Sequence, residues 1–247
     1  MPREGRMDSL EFDSFTWPKR NGANEDSLVV GTHLELHYFG VADGVGGSIG
    51  GSIASQVAVM QAEAVIKKES TDDMLTIFRS VHKKMEDVAA KDKNLQNMAT
   101  TFTLCVIKHN AVSVGHVGDS RLYQLRNSSI IYKTEDQTLY SNLSNRGAEN
   151  IVPHYSNILS SALCPAHQYT LVSTELSLWP GDRLIICSDG VHKVISNKEL
   201  TEISVGSSNI RSFTLKIKAV LRIRGISLGW GHDQASSAGD SRMVRLS

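Results

Sequence analysis

No stretch of about 18 apolar residues occurs in this 247-residue chain, so no part of it suits a bilayer-spanning helix. Neither charge is in excess: 26 basic and 26 acidic residues give a formal net charge of +0. A chain so balanced has no basic surface with which to grip nucleic acid or an anionic membrane irrespective of sequence. Residues 1–10 carry charges but no apolar core, so no secretory signal is expected. Cysteines are few, widely spaced and odd in number: Cys105, Cys164 and Cys187. Cys105 and Cys187 lie in apolar strand-like runs, where buried thiols are expected rather than a disulfide or a zinc site. Repeats and low-complexity blocks are missing too. These absences predict a cytoplasmic, monomeric protein without nucleic-acid or membrane partners.

Several chemistries are excluded in the same way. Gly44-Val45-Gly46-Gly47-Ser48 lacks the Gly-Lys-Ser/Thr ending of a phosphate-binding loop, and its spacing is not the dinucleotide fingerprint. Nine histidines include no His-Glu-x-x-His; His33, His37, His109 and His116 read as surface or strand positions. No Gly-x-Ser-x-Gly elbow is present for a serine nucleophile.

What the chain does have is a clear change of period. A turn-rich stretch (17–26) leads into a hairpin expected over Ser27–Gly31 and Leu34–Ala42, linked at 31–33. Ser52 to Lys68 is helical, with Ile53, Val57, Met60, Ala64 and either Val65 or Lys68 as its stripe. A second helix follows a cap at Ser70-Thr71-Asp72-Asp73 and runs to about Ala90, with Met74, Phe78, Val81, Met85 and Val88 on one face. From Thr100 the period becomes that of strands: 101–108, 111–117, 121–126 and 129–134, a meander broken at His109-Asn110, Gly118-Asp119 and Asn127-Ser128. Residues 135–167 are irregular, with a short helix at 138–146; loops this long in a compact domain are often functional. Strands are expected again at 169–176 and 182–188, a short helix capped by Asn197, a helix over about 209–222 bearing Phe213, Ile217, Val220 and Leu221, and a polar tail with a weak strand. Strands and helices do not alternate, so the class is α+β with antiparallel sheets. Residues 1–16 are expected to be an irregular lead-in and 17–247 a single domain in which 135–167 forms a flap.

Chemistry is suggested by acids. Asp26, Asp43, Asp119 and Asp189 sit at or beside the ends of strand-like runs, and Asp233 follows Gly231-His232. An Asp-Gly pair is usually an ordinary turn. Several at strand ends imply a cluster of carboxylates at one sheet edge, where mutual repulsion raises their pKa values and hard divalent cations relieve it. Two such ions about 3.5–4 Å apart support in-line phosphoryl hydrolysis.

Six segments, in order, resemble the PPM/PP2C-type metal-dependent protein serine/threonine phosphatases, most closely compact bacterial members. They are Asn24-Glu25-Asp26, Val41 to Gly47 around Asp43-Gly44, Ala99-Thr100-Thr101, His116 to Tyr123 around Gly118-Asp119, Pro180 to Gly190 around Asp189, and Asp233-Gln234-Ala235-Ser236. The resemblance implies a β-sandwich of two antiparallel sheets flanked by helix pairs, with Mn²⁺ or Mg²⁺ at one end. It implies that Asp43 bridges two core ions and that the Gly44 carbonyl, Asp189 and Asp233 complete their shells. Asp26 would act through bound waters or as a direct ligand. Asp119 would join Asp189 in a weaker third site, or else cap the next strand from a Gly-Asp turn. A metal-bridging water would attack phosphoserine or phosphothreonine directly. Lys19 and Arg20 are the candidates for holding substrate phosphate. Val45 stands where some eukaryotic members carry a histidine, and Gln234 where asparagine is usual. The implied partners are phosphoproteins and a cognate Ser/Thr kinase or its targets. The alternatives are a catalytically weak binding module of the same fold, or a phosphatase of a small phosphorylated metabolite.

Overall fold

The computed structural model describes residues 10–16, 24–45, 49–227 and 240–246. Two antiparallel sheets lie face to face. The first runs from β2 (Asp26–His33) through β3 (Leu36–Val45), β5 (Phe102–Lys108) and β6 (Ala111–Val117) to β9 (Val172–Ser177), and the short β4 (Ala99–Thr100) pairs with the end of β3. The second has the order β1 (Leu10–Thr16), β11 (Asp240–Leu246), β10 (Arg183–Cys187), β7 (Arg121–Arg126), β8 (Ser129–Lys133).

Alternation along each strand explains the layers, since successive side chains point to opposite faces. On β3 and β5, Phe39, Val41, Cys105 and Ile107 meet Leu122, Leu184 and Ile186 of the other sheet. Their neighbours Tyr38, Ala42, Phe102, Leu104 and Val106 face α1 (Ile49–Glu69) and α2 (Met74–Lys91). On β7 and β10, Tyr123, Leu125, Ile185 and Cys187 face α5 (Asn197–Val205) and α6 (Ile210–Ser227) through Leu200, Phe213 and Ile217. The result is four layers, helix pair–sheet–sheet–helix pair, as expected. Strands buried on both faces read as apolar runs, as residues 104–107 of β5 and 184–187 of β10 do. Each fully buried Phe or Ile contributes about 1.5–3 kcal/mol.

The second helix has the expected face: Met74, Phe78, Val81 and Met85 are buried, and Asp73 caps it by accepting from Leu75 and Thr76 N–H. The first helix corrects the reading. Met60 is 70% exposed; Ile53 and Val57 pack against the core partly buried, and the buried stripe is Ala54, Ala58, Ala62, Ile66 and the expected Val65. Ala54, Ala58 and Ala62 let this helix lie close to β2 and β3, and Val65 and Ile66 fill the core toward its C-terminal end.

Other expectations are corrected as well. The lead-in is not irregular throughout, because Leu10–Thr16 forms an edge strand in full register with β11. The hairpin link is Leu34-Glu35 rather than residues 31–33, with Leu34 at φ 52°. The strand carrying Asp43 runs on to Val45 instead of ending before the acid. Ser196, not Asn197, caps α5, in a reciprocal capping box with Glu199. The weak tail strand lies inside the second sheet, between β1 and β10. The cysteine reading holds: all three are free and buried. No described helix is long and apolar enough to cross a membrane.

Candidate metal centre

Asp26 and Asp43 are directly opposed partners in the β2–β3 ladder, so their side chains share one face at the end of the first sheet. Opposed residues in such a ladder hold their Cβ atoms about 4.5–5.5 Å apart. The second sheet reaches the same place. Ser188, at the end of β10, donates its hydroxyl to Asp26 Oδ2 at 3.1 Å. Asp189 follows at once, opening the single-turn helix α4 (Asp189–His192).

Asp43 is held through its backbone. Thr101 N–H donates to the Asp43 carbonyl at 2.9 Å, and so does the Thr100 hydroxyl at 2.9 Å. The Asp43 N–H in turn donates to Thr101 Oγ1 at 3.1 Å. Thr101 Oγ1 also lies 2.8 Å from Ser120 Oγ, which ties the Asp43 strand to the residue after Asp119. The Ala99-Thr100-Thr101 segment is therefore a clamp on the acid-bearing strand.

Glycine at position 44 is required by close approach, not by an unusual φ. A Cβ there would lie 2.4 Å from Gly51 O in the first turn of α1 and 2.8 Å from Glu25 O. Its N–H donates to that Glu25 carbonyl at 3.1 Å. Gly118 is the other case: φ is +105°, and a Cβ would strike Thr101 at 2.6 Å.

Asp119 lies between β6 and β7 and is nearly buried. Burial, then the nearby Asp189 charge, push its carboxyl up to about 6. His192 Nε2 donates to the Asp119 carbonyl at 3.0 Å. Its buried Nδ1 has no hydrogen-bond partner among the described residues. Burial, then the Arg121 charge, push His192 down to about 4, so it is neutral at pH 7. Lys193 Nζ binds Asp189 Oδ2 at 2.7 Å and Asn157 Oδ1 at 3.0 Å.

The flap is pinned at its base. His116, held neutral mainly by burial, lies 3.1 Å from Glu135 O through Nε2 and 2.9 Å from Thr103 Oγ1 through Nδ1. The carbonyl can only accept, so Nε2 carries the proton. Gln137 exchanges two bonds with Gly118, N–H to O at 2.8 Å and Oε1 from N–H at 2.9 Å. Beyond this lies the expected short helix, α3 (Leu139–Asn145), capped by Thr138. Arg121 forks onto Asp136 with both bonds at 2.6 Å.

The structure thus gathers Asp26, Asp43, Asp119 and Asp189 at one end of the sandwich. Among the described residues no three His, Cys, Asp or Glu side chains already form a metal cage. Asp233, Lys19 and Arg20 lie outside the described residues. Two carboxylates share one sheet face, and Asp189 follows the serine that bonds one of them; oxygen donors of this kind suit a hard divalent cation. Ser188, Ser120, Gly51 and Lys193 were not singled out by the sequence. Lys193 carried a signal in its i,i+4 spacing from Asp189. Asn157 carried none.

Comparisons with known proteins agree with this architecture. The family described as protein phosphatase 2C matches residues 19–216, well over half of the chain. The serine/threonine protein phosphatase PstP of Mycobacterium tuberculosis is 29% identical over 186 residues, which is 72% of this chain but only 35% of that protein. The serine/threonine phosphatase stp of Listeria monocytogenes is 30% identical over 175 residues, 66% of this chain and 69% of that one. Among solved structures, the serine/threonine phosphatase of S. agalactiae superposes with a TM-score of 0.81 at 22% identity, covering 97% of this chain and 100% of its own. The catalytic domain of PstP in complex with two manganese ions gives 0.74 at 24% identity, with 96% of each chain covered. At these identities the superpositions establish the fold.

Proposed function

The chain belongs to the protein phosphatase 2C family, and we propose that it hydrolyses phosphoserine and phosphothreonine in proteins, with two divalent cations as cofactor. The observation that carries this reading is the meeting of Asp26 and Asp43 from one sheet with Ser188-Asp189 from the other. When bound, Mn²⁺ or Mg²⁺ supplies Lewis-acid activation of water and neutralises phosphoryl charge.

The chain's own residues do the positioning. Asp43 would serve both ions, with the Gly44 carbonyl, Asp189 and Asp233 as further ligands and Asp26 as a direct ligand or one acting through water. The Thr100–Thr101 clamp keeps the Asp43 strand from shifting as charge develops at phosphorus, since a preorganised site needs no rearrangement in the transition state. Ser188 orients Asp26, in the way outer groups fix metal ligands. Lys19 or Arg20 would hold the substrate phosphate, Arg by a planar fork and Lys as a point charge. The substrates would be proteins phosphorylated by a Ser/Thr kinase. Buried free thiols accord with a reducing, cytoplasmic setting. We also take residues 17–247 as one domain, and β1 carries the folded unit back to Leu10.

The test is hydrolysis of p-nitrophenyl phosphate and a phosphothreonine peptide with Mn²⁺, Mg²⁺ or EDTA, beside Asp43→Asn. Metal-dependent turnover that the variant loses is expected. A folded protein that turns over neither substrate with either metal would contradict the proposal and leave a binding module of this fold.

A further inference from the structure

Lys193 stands where a peripheral cation would be drawn. Asp119 and Asp189 are near enough to feel each other's charge, and Lys193 acts on the same Asp119 carboxylate with the opposite sign. One turn of helix closes the geometry: Lys193 N–H donates to the Asp189 carbonyl at 3.0 Å, which stacks residues 189 and 193 on one side. Its ammonium then meets Asp189 Oδ2 at 2.7 Å. The same ammonium reaches out of the core to Asn157, in the single 3₁₀ turn of the flap (Pro153–Asn157), at 3.0 Å.

We propose that the Lys193 ammonium is a built-in substitute for a third metal ion beside Asp119 and Asp189, and that by gripping Asn157 it tethers the flap to the metal centre. The proposal rests on the two-metal reading above. It refines the third site implied by the sequence, which would have joined the same two acids. A lysine engages only one oxygen of Asp189, so the carboxylate keeps a second oxygen for a core ion. A divalent cation approaching Asp119 must displace the ammonium or lie against it, and like charges that close oppose each other even in a water-like dielectric. The tether also gives the flap a fixed position that does not depend on metal concentration.

The experiment counts bound Mn²⁺ by the loss of the free-ion electron paramagnetic resonance signal, in the full chain and in Lys193→Met, and follows hydrogen exchange over 139–158 in both and in Asn157→Ala. Lys193 and Asp189 are 41% and 37% exposed. Such a pair contributes only ~0–1 kcal/mol to stability, so the variant should fold. The parent should bind two ions. Lys193→Met should bind a third at least ~10-fold more tightly than the parent does, as removal of one adjacent charge requires. Flap amides should exchange faster in both variants. Two core ions with an equally tight third in parent and variant would overturn the substitute and leave the phosphatase reading standing. Tighter binding of the third ion without faster flap exchange would overturn the tether. No bound Mn²⁺ in either protein would overturn both this inference and the two-metal reading.

Discussion

The Ser188 hydroxyl donates to Asp26 Oδ2 at 3.1 Å across 162 positions of sequence, and it joins the ends of two different sheets. It is the bond by which the second sheet fixes an acid of the first. Ser188→Ala should leave the fold intact but loosen Asp26. The Mn²⁺ concentration for half-maximal activity should rise about 10-fold, within the range that outer-group substitutions show. A metal titration of activity checks this.

Asp43 and Asp119 should differ in kind. Asp43→Asn removes a charge shared by both core ions, and turnover should fall at least ~1000-fold, equivalent to about 4 kcal/mol. Asp119→Ala lies at the edge of the site and should lower turnover less while altering metal dependence. Equal and total loss in both variants would refute the distinction between core and peripheral acids.

Stability depends on an acid away from the metal centre. Asp182 is wholly buried and accepts from Gln124, from Arg126 through two bonds at 2.8 and 2.7 Å, and from Trp179 N–H. The Arg126 guanidinium also lies 4.8 Å from the Trp179 ring centre. Asp182→Ala removes these bonds, while Arg126, 28% exposed, keeps its bond to Ser177 O, so the change should cost about 1–3 kcal/mol. Urea denaturation should show the midpoint fall, with metal-dependent activity of the remaining folded protein preserved.

Acid should weaken the flap's anchor. Burial would raise the Asp136 carboxyl, but the Arg121 fork outweighs it and holds Asp136 below the ordinary carboxylate value. A group with a depressed folded pKa stabilises above its unfolded pKa, and that stability is lost as pH falls through the folded one. The stability difference between the parent and Asp136→Asn should therefore be constant near neutrality and shrink below about pH 4. Thermal unfolding from pH 7 to pH 3 measures it.

Much of this was legible locally. The apolar runs of β5 and β10, the stripe of α2 and the His109-Asn110 turn each obey one period or one turn chemistry, so their class needs no partner to be known. Leu10-Glu11-Phe12 also alternates, and both Leu10 and Phe12 pack between the sheets, so β1 had a signal that its charged surroundings obscured. The stripe of α1 was misjudged because periodicity weights Met60 above Ala58, whereas a sheet accepts whichever face can approach it most closely. β11 owes its place to backbone pairing with β1 and β10, and such non-local bonds leave little trace in side-chain pattern.

By itself the sequence determined which residues are acids at strand ends, that the sheets are antiparallel, and which family the chain resembles. Strand periodicity and turn residues are local properties, and the acids' positions within them follow. Only the tertiary structure decided which acids meet. Asp26 faces Asp43 through ladder register, and Ser188 reaches Asp26 because two sheets pack face to face. Lys193 joins Asp189 to Asn157 because the flap folds back on the core. The Ser188–Asp26 and Lys193–Asn157 contacts join segments far apart in the chain, made where the packing of layers brings their ends together, and no local pattern specifies that distance.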